Sequence, residues 1–249
     1  VATIVDGKNL NNLQKFESYS FNNDESKLIL GKDIQKVYRR STKGTYYVYT
    51  VNSKKIRLIG EQIQEPTFSP DSKKVAYAKN NNLFILDLTT NTTRQVTYDG
   101  KYNHIINGTT DWVYEEEFGF VRAFEWSKDS KFIAFLRFNE SKVKEFSMGV
   151  TGNQLYPTQH VFKYPKAGED NAKVSLHTYN LETRKLKKIA LGSYEYIPRI
   201  QWSNTNPILI ATTLNRHQND LKIHKVNALK SSSSLLLNEK DDQGSKEGW

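Results

Sequence analysis

Apolar and polar positions alternate in short runs along most of this chain. In NLFILDL (82–88), Leu83, Ile85 and Asp87 fall on one face and Phe84, Leu86 and Leu88 on the other. A period of two, broken by turn residues about every 8–12 positions, predicts antiparallel strands joined by tight turns. Four segments repeat a larger pattern of an aromatic residue, a polar turn with Asp or Asn, and an apolar strand. They are FNNDESKLIL from Phe21, FSPDSKKVAYAK from Phe68, WSKDSKFIAFLR from Trp126 and WSNTNPILIATTL from Trp202. A second strand is expected after each, at 45–51, 82–88, 144–150 and 220–226, and a third in places, at 93–100 and 185–192. The first interval between repeats is close to the ~40–50 residues of a propeller blade, and the later ones are longer. The predicted fold class is therefore all-β, a β-propeller of four-stranded antiparallel blades. About four to five blades of a larger wheel fit here, with insertions in the later ones. Beyond Val226 the pattern weakens into ALKSSSSLLLNEKDDQGSKEGW, which reads as a fifth blade begun and cut off.

The aromatic turn has a mechanical reading. Pro70 sets its own φ, Asp71 can accept from nearby backbone amides, and Phe68 packs between blades. These residues are expected to build the fold and nothing else.

Composition sharpens this reading in three ways. The 14 Tyr and 12 Phe favour pleated, half-buried surfaces. Cysteine is absent, which excludes disulfides, cysteine nucleophiles and thiolate metal sites. The net charge of +9 comes from lysines scattered over turns, such as DSKK at 71–74 and RKLKK at 184–188, without an arginine–aromatic platform. Solvated turns are the expected reading, and no nucleic-acid partner is expected. No apolar run approaches the roughly 20 residues that a membrane-spanning helix needs.

One stretch breaks the strand pattern. DWVYEEEFG, from Asp111 to Gly119, sets Glu115, Glu116 and Glu117 in a row. Adjacent like charges repel, and such a run is poor strand material. Asp111 or Thr110 can cap a short helical turn, placing negative charge where the helix dipole favours it. On such a turn Glu115 and Glu117 diverge, while adjacent glutamates can converge. A pair of carboxylates offers two charges and several acceptors to a primary ammonium with three N–H donors.

DWVYEEEF, followed by the W-S-x-D turn, AFLRFNES and YPKAGEDN (164–171), resembles the propeller domain of the dipeptidyl peptidase IV family of serine exopeptidases. IPRIQWSN and LNRHQN (197–219) resemble its bacterial branch. The resemblance runs from about Phe21 to Val226. It implies an eight-bladed propeller followed by a C-terminal α/β-hydrolase domain, so residues 1–249 would be part of the N-terminal substrate-gating propeller. It implies that the whole protein removes N-terminal dipeptides with Pro or Ala at the penultimate position. Glu116 and Glu117 would hold the free amino terminus of the peptide. The family's W-R-x-S stretch lines up with Tyr38-Arg39-Arg40-Ser41 and assigns the arginine that grips the substrate carbonyl to Arg39, with Arg40 its neighbouring alternative. Implied partners are peptides with a free amino terminus, the protein's own hydrolase domain and a second copy in a homodimer. The implied location is periplasmic, secreted or cell-envelope, and no cofactor is implied.

No catalytic residue is expected within this chain. A nucleophile elbow reads G-x-S-x-G, and GSKEG at 244–248 lacks that spacing. His104, His160, His177, His217 and His224 are dispersed and read as packed or surface residues. No H-x-x-x-H spacing suggests a metal. Sequons at Asn91 and Asn107 matter only in a eukaryotic secretory setting. The competing reading is a non-catalytic propeller scaffold that binds proteins, in which the glutamates form an ordinary acidic turn.

Overall fold

A computed structural model of the chain describes residues 3–10, 13–205 and 207–241. The first meander comprises β1 (Ser18–Phe21), β2 (Lys27–Lys36), β3 (Thr42–Thr50) and β4 (Lys55–Phe68). The second continues from β4 through β5 (Lys74–Lys79), β6 (Asn82–Asp87) and β7 (Thr92–Gln95). These seven strands pair in chain order. Strand β4 serves both meanders: residues up to Ile63 pair with β3, and Gln64 onward pairs with β5. It bends where Gln62 and Glu65 take φ of 54° and 52°.

The third meander is built on β10 (Phe132–Asn139), after β8 (Ile105–Asn107), helix α1 (Trp112–Glu117) and β9 (Phe124–Trp126). Both β8 and β9 pair with β10, so the helix leaves from a gap in that edge. The neck of the excursion is closed by a Thr109–Arg122 bridge and by Ala123 N donating to Gly108 O at 3.0 Å. Gly108 holds φ +80°, a conformation that costs a side-chain-bearing residue strain. A hairpin of β11 (Glu145–Val150) and β12 (Thr158–Lys163) follows, and the sheet resumes with β13 (Lys173–Asn180) and β14 (Leu186–Ile189). The fourth meander is β15 (Tyr196–Trp202), β16 (Ile208–Leu214), β17 (Asp220–Asn227) and β18 (Ser232–Lys240).

The all-β expectation holds, and four four-stranded meanders fit propeller blades. Two details differ from the sequence reading. Residues 144–150 are not the second strand of the third blade, since β13 takes that place and β11 belongs to the inserted hairpin. The serine run is not a lost pattern either. Ser232–Lys240 is the outer strand of the fourth meander, held along β17 from Asn227↔Ser232 to Asp220↔Lys240. Its side chains are exposed throughout, so no burial pattern marks it. GSKEG and the start of any fifth blade lie outside the described residues.

Apolar clusters sit between neighbouring meanders. Ile29, Val48, Ile63, Val75 and Leu86 join the first to the second. Leu83, Phe124, Trp126, Phe135 and Tyr179 join the second to the third. Leu136, Leu176, Ile197, Trp202 and Leu209 join the third to the fourth. With neighbours on both sides, β6 buries Leu83 and Ile85 on one face and Leu86 on the other. The aromatic turns repeat one hydrogen-bond set. Ser69 Oγ donates to Asp71 and accepts from Lys74 N, and Lys73 N donates to Asp71. Ser127, Asp129, Lys131 and Phe132 do the same one meander later. The indoles reach back to the preceding meander, Trp126 Nε1 to Thr67 O at 3.2 Å and Trp202 Nε1 to Glu125 O at 2.9 Å.

Candidate functional site

Helix α1 is six residues long, too short to persist alone, so tertiary contacts must hold it. Asp111 is its N-cap, with Oδ1 accepting from Tyr114 N at 3.0 Å. Thr110, the other candidate cap, instead donates its hydroxyl to Phe120 O. Tyr114 anchors the helix in the core. Its ring contacts those of Phe118, Phe120, Phe138 and Tyr196, and its hydroxyl accepts from Ile197 N at 2.8 Å. At the other end Arg199 donates to Phe118 O at 3.0 Å, a cation where the helix dipole is negative. Trp112 leans on Tyr164, just beyond the β11–β12 hairpin, with ring centroids 4.4 Å apart.

The three glutamates then part company. Glu115 turns inward and is fully buried. Its Oε1 accepts from the backbone amides of Arg40 and, at 2.8 Å, Ser41, across 75 and 74 residues of sequence. Its Oε2 is buried without a hydrogen-bond partner. Glu116 stays near the surface and meets Arg39, with Nε to Oε2 at 3.2 Å. Glu117 is exposed. Arg39 lies in the turn between β2 and β3, closed by Val37 N donating to Ser41 O and Tyr38 N donating to Ser41 Oγ. Lys36 Nζ donates to Arg39 O at 3.1 Å.

Of the residues singled out by sequence, Arg39 and Glu116 are brought into contact and Glu117 follows on the same helix. The side chain of Arg40 points to solvent, while its backbone amide is held by Glu115. The divergence of Glu115 from its neighbours was anticipated, but its grip on the arginine turn was not. No local signal could have shown a bond across 75 residues.

Beside the arginine turn lies a cavity of about 560 Å³ lined by Tyr38, Ser41, Tyr102, Thr110 and Glu140, among others. Burial sets the electrostatics here. It pushes the Asp111 carboxyl up to about 6, with the bond from Tyr114 N opposing. It pushes Glu140 up to about 7, with Asp111 adding to the shift and Lys163 opposing it. Burial also raises the Tyr38 phenol, reinforced by the charge of Glu140. Among the described residues no His, Asp or Glu cluster could hold a metal ion. The histidines read as packed are so in two cases: His177 stacks on Phe135, and His224 bonds Thr213. Burial lowers His177 to about 4. Of the two sequons, Asn107 is fully buried and Asn91 is exposed.

Chemically, this surface offers two carboxylates on one anchored helix, Glu116 and Glu117, beside a guanidinium on a braced turn. Such a set can take a cationic group and a carbonyl oxygen side by side.

Comparison with known proteins shows the family. The family described as the dipeptidyl peptidase IV (DPP IV) N-terminal region matches residues 22–249. Dipeptidyl aminopeptidase B of Saccharomyces cerevisiae is 30% identical over 251 residues, covering 97% of this chain and 30% of that protein. The crystal structure of Porphyromonas gingivalis dipeptidyl peptidase 4 superposes with a TM-score of 0.89 at 38% identity, covering 94% of this chain and 34% of that one. The chain thus spans about a third of the length of these relatives. With residues 22–249 matched, the chain belongs to the dipeptidyl peptidase IV family, whose N-terminal region it matches.

Proposed function

We propose that this chain is the substrate-reading propeller of a serine exopeptidase that removes dipeptides from free amino termini. On this reading, Glu116 and Glu117 bind the substrate's α-ammonium, and Arg39 donates to a substrate carbonyl oxygen. The penultimate residue is Pro or Ala. The observation that carries the reading is the Arg39–Glu116 pair at 3.2 Å beside the exposed Glu117. On this reading an ammonium site and a carbonyl donor lie within one residue's reach of each other.

An exopeptidase has to measure from the chain end. Holding the ammonium at a fixed point lets only the second peptide bond reach a nucleophile two residues away, so binding energy becomes position. The nucleophile, base and oxyanion donors belong to the C-terminal α/β-hydrolase domain of the whole protein. A homodimer and a periplasmic, secreted or envelope location complete the proposal.

The test is to incubate the full-length protein with a polypeptide carrying Pro at position two and to follow its products by mass spectrometry. Release of the N-terminal dipeptide alone, abolished by a serine-directed phosphonate, is the expected result. A protein that releases no dipeptide but captures intact protein partners is the scaffold instead.

A further inference from the structure

We infer that Glu115 is a positioning residue, whose work is to set Arg39 in place for the substrate carbonyl. The inference rests on the reading of Arg39 given above.

Arg39 has little to hold it. Its side chain is 76% exposed, and among the described residues its one ion pair is with Glu116. Its backbone, by contrast, is fixed one and two residues downstream, where Arg40 N and Ser41 N both donate to Glu115 Oε1. Consecutive amides turned toward one oxygen define both the height and the tilt of the turn. The oxygen belongs to the same short helix that carries Glu116 and Glu117. The distance from guanidinium to carboxylate pair is therefore set by a single rigid element instead of by two independent loops.

The remaining oxygen supports this role. Glu115 Oε2 is buried and unpartnered, a condition that costs stability. An apolar residue of similar size would avoid that cost but would leave the amides of Arg40 and Ser41 without their acceptor. Glutamate here serves the turn more than it serves the core.

The experiment is a double-mutant cycle in the full-length protein, using an alanyl-proline chromogenic amide. Glu115→Met keeps the volume and removes the acceptor, while Glu115→Gln keeps an amide oxygen that can accept both N–H groups. A misplaced binding group costs up to roughly a hundredfold in rate. Glu115→Met is therefore expected to lower kcat/KM by roughly ten- to a hundredfold, close to the effect of Arg39→Ala. Placed on top of Arg39→Ala, it is expected to add less than about threefold, because residues acting through one another are non-additive. Glu115→Gln is expected to restore most of the activity. A purely structural role would give multiplying effects and no rescue, and would overturn the inference. So would Glu115→Met at wild-type kcat/KM. If Arg39→Ala is itself silent, the carbonyl-gripping reading falls first and this inference with it. A second measurement needs no variant. The amide of Arg40, an exposed residue, is expected to be strongly protected from hydrogen exchange, and an unprotected amide there would show that the latch is absent.

Discussion

Removing one oxygen from Tyr114 tests whether the helix that carries the glutamates is held as described. Tyr114 is 2% exposed, and its hydroxyl is the acceptor for Ile197 N at 2.8 Å, with Ile197 itself fully buried. Tyr114→Phe leaves the ring contacts with Phe118, Phe120, Phe138 and Tyr196 in place. What it removes is the partner of a buried backbone amide, with a cost of about 1–3 kcal/mol. For a chain of this size each kcal/mol moves Tm by roughly 2–4 °C. Tyr114→Ala adds the loss of the ring and should cost on the order of 3–5 kcal/mol or more. Urea unfolding of the chain, followed by tryptophan fluorescence, reads both. If Tyr114→Phe matches the wild type within about 0.3 kcal/mol, Ile197 N has another acceptor, and the account of how α1 is anchored is wrong.

Other consequences are open to measurement. In the full-length protein, Glu116→Gln or Glu117→Gln should lower kcat/KM for peptides with a free amino terminus by roughly ten- to a hundredfold, the loss of one charge-assisted bond of about 1.5–3 kcal/mol. Unfolding should barely register Glu116→Gln, because an ion pair whose arginine is exposed, as in Arg39–Glu116, is worth only about 0–1 kcal/mol. The chain of residues 1–249 by itself should show no turnover of dipeptidyl-proline substrates above a buffer control, since it carries no G-x-S-x-G elbow. Asp111→Asn should change how stability depends on pH. The Asp111 carboxyl is raised from 3.8 to about 6, so its favourable contribution is complete below pH 4 and is lost as pH rises through 6. Asn keeps the cap and removes the titration. The variant should therefore gain on the wild type between pH 4 and pH 7, by on the order of 2–3 kcal/mol at most. His177, lowered to about 4, acts in the opposite sense, losing stability as pH falls from 6.5 toward 4. Comparing variant with wild type at each pH cancels that contribution, and a constant difference from pH 4 to 7 would refute the Asp111 assignment.

The blade architecture was legible because its devices are local. Phe68-Ser69-Pro70-Asp71 and Trp126-Ser127-Lys128-Asp129 each form their turn from neighbouring residues. The helix cap was legible to within one residue, Asp111 or Thr110, for the same reason. Two strand assignments failed where side-chain pattern stops reporting on the backbone. β18 is exposed along its whole length and is held by its ladder to β17, so serine can stand where apolar residues were expected. Residues 145–150 have strand character but pair only with 158–163, in a hairpin whose contacts lie with Tyr38 and Tyr102. The site divides in the same way. A carboxylate run on a capped helix can be read along the chain. The bond from Glu115 to the 40–41 backbone arises only when the first and third meanders come together.

The central claim is that Glu116 and Glu117 read a free amino terminus, and one comparison tests it most directly. kcat/KM would be measured for the full-length protein on an alanyl-proline amide and on the same compound with its amine acetylated, for the wild type and for the Glu116→Gln/Glu117→Gln double variant. The account predicts that the wild type prefers the free amine by about a hundredfold or more, and that the double variant cleaves both compounds slowly with little preference. A wild type indifferent to acetylation, or a double variant that keeps the full preference, would contradict it.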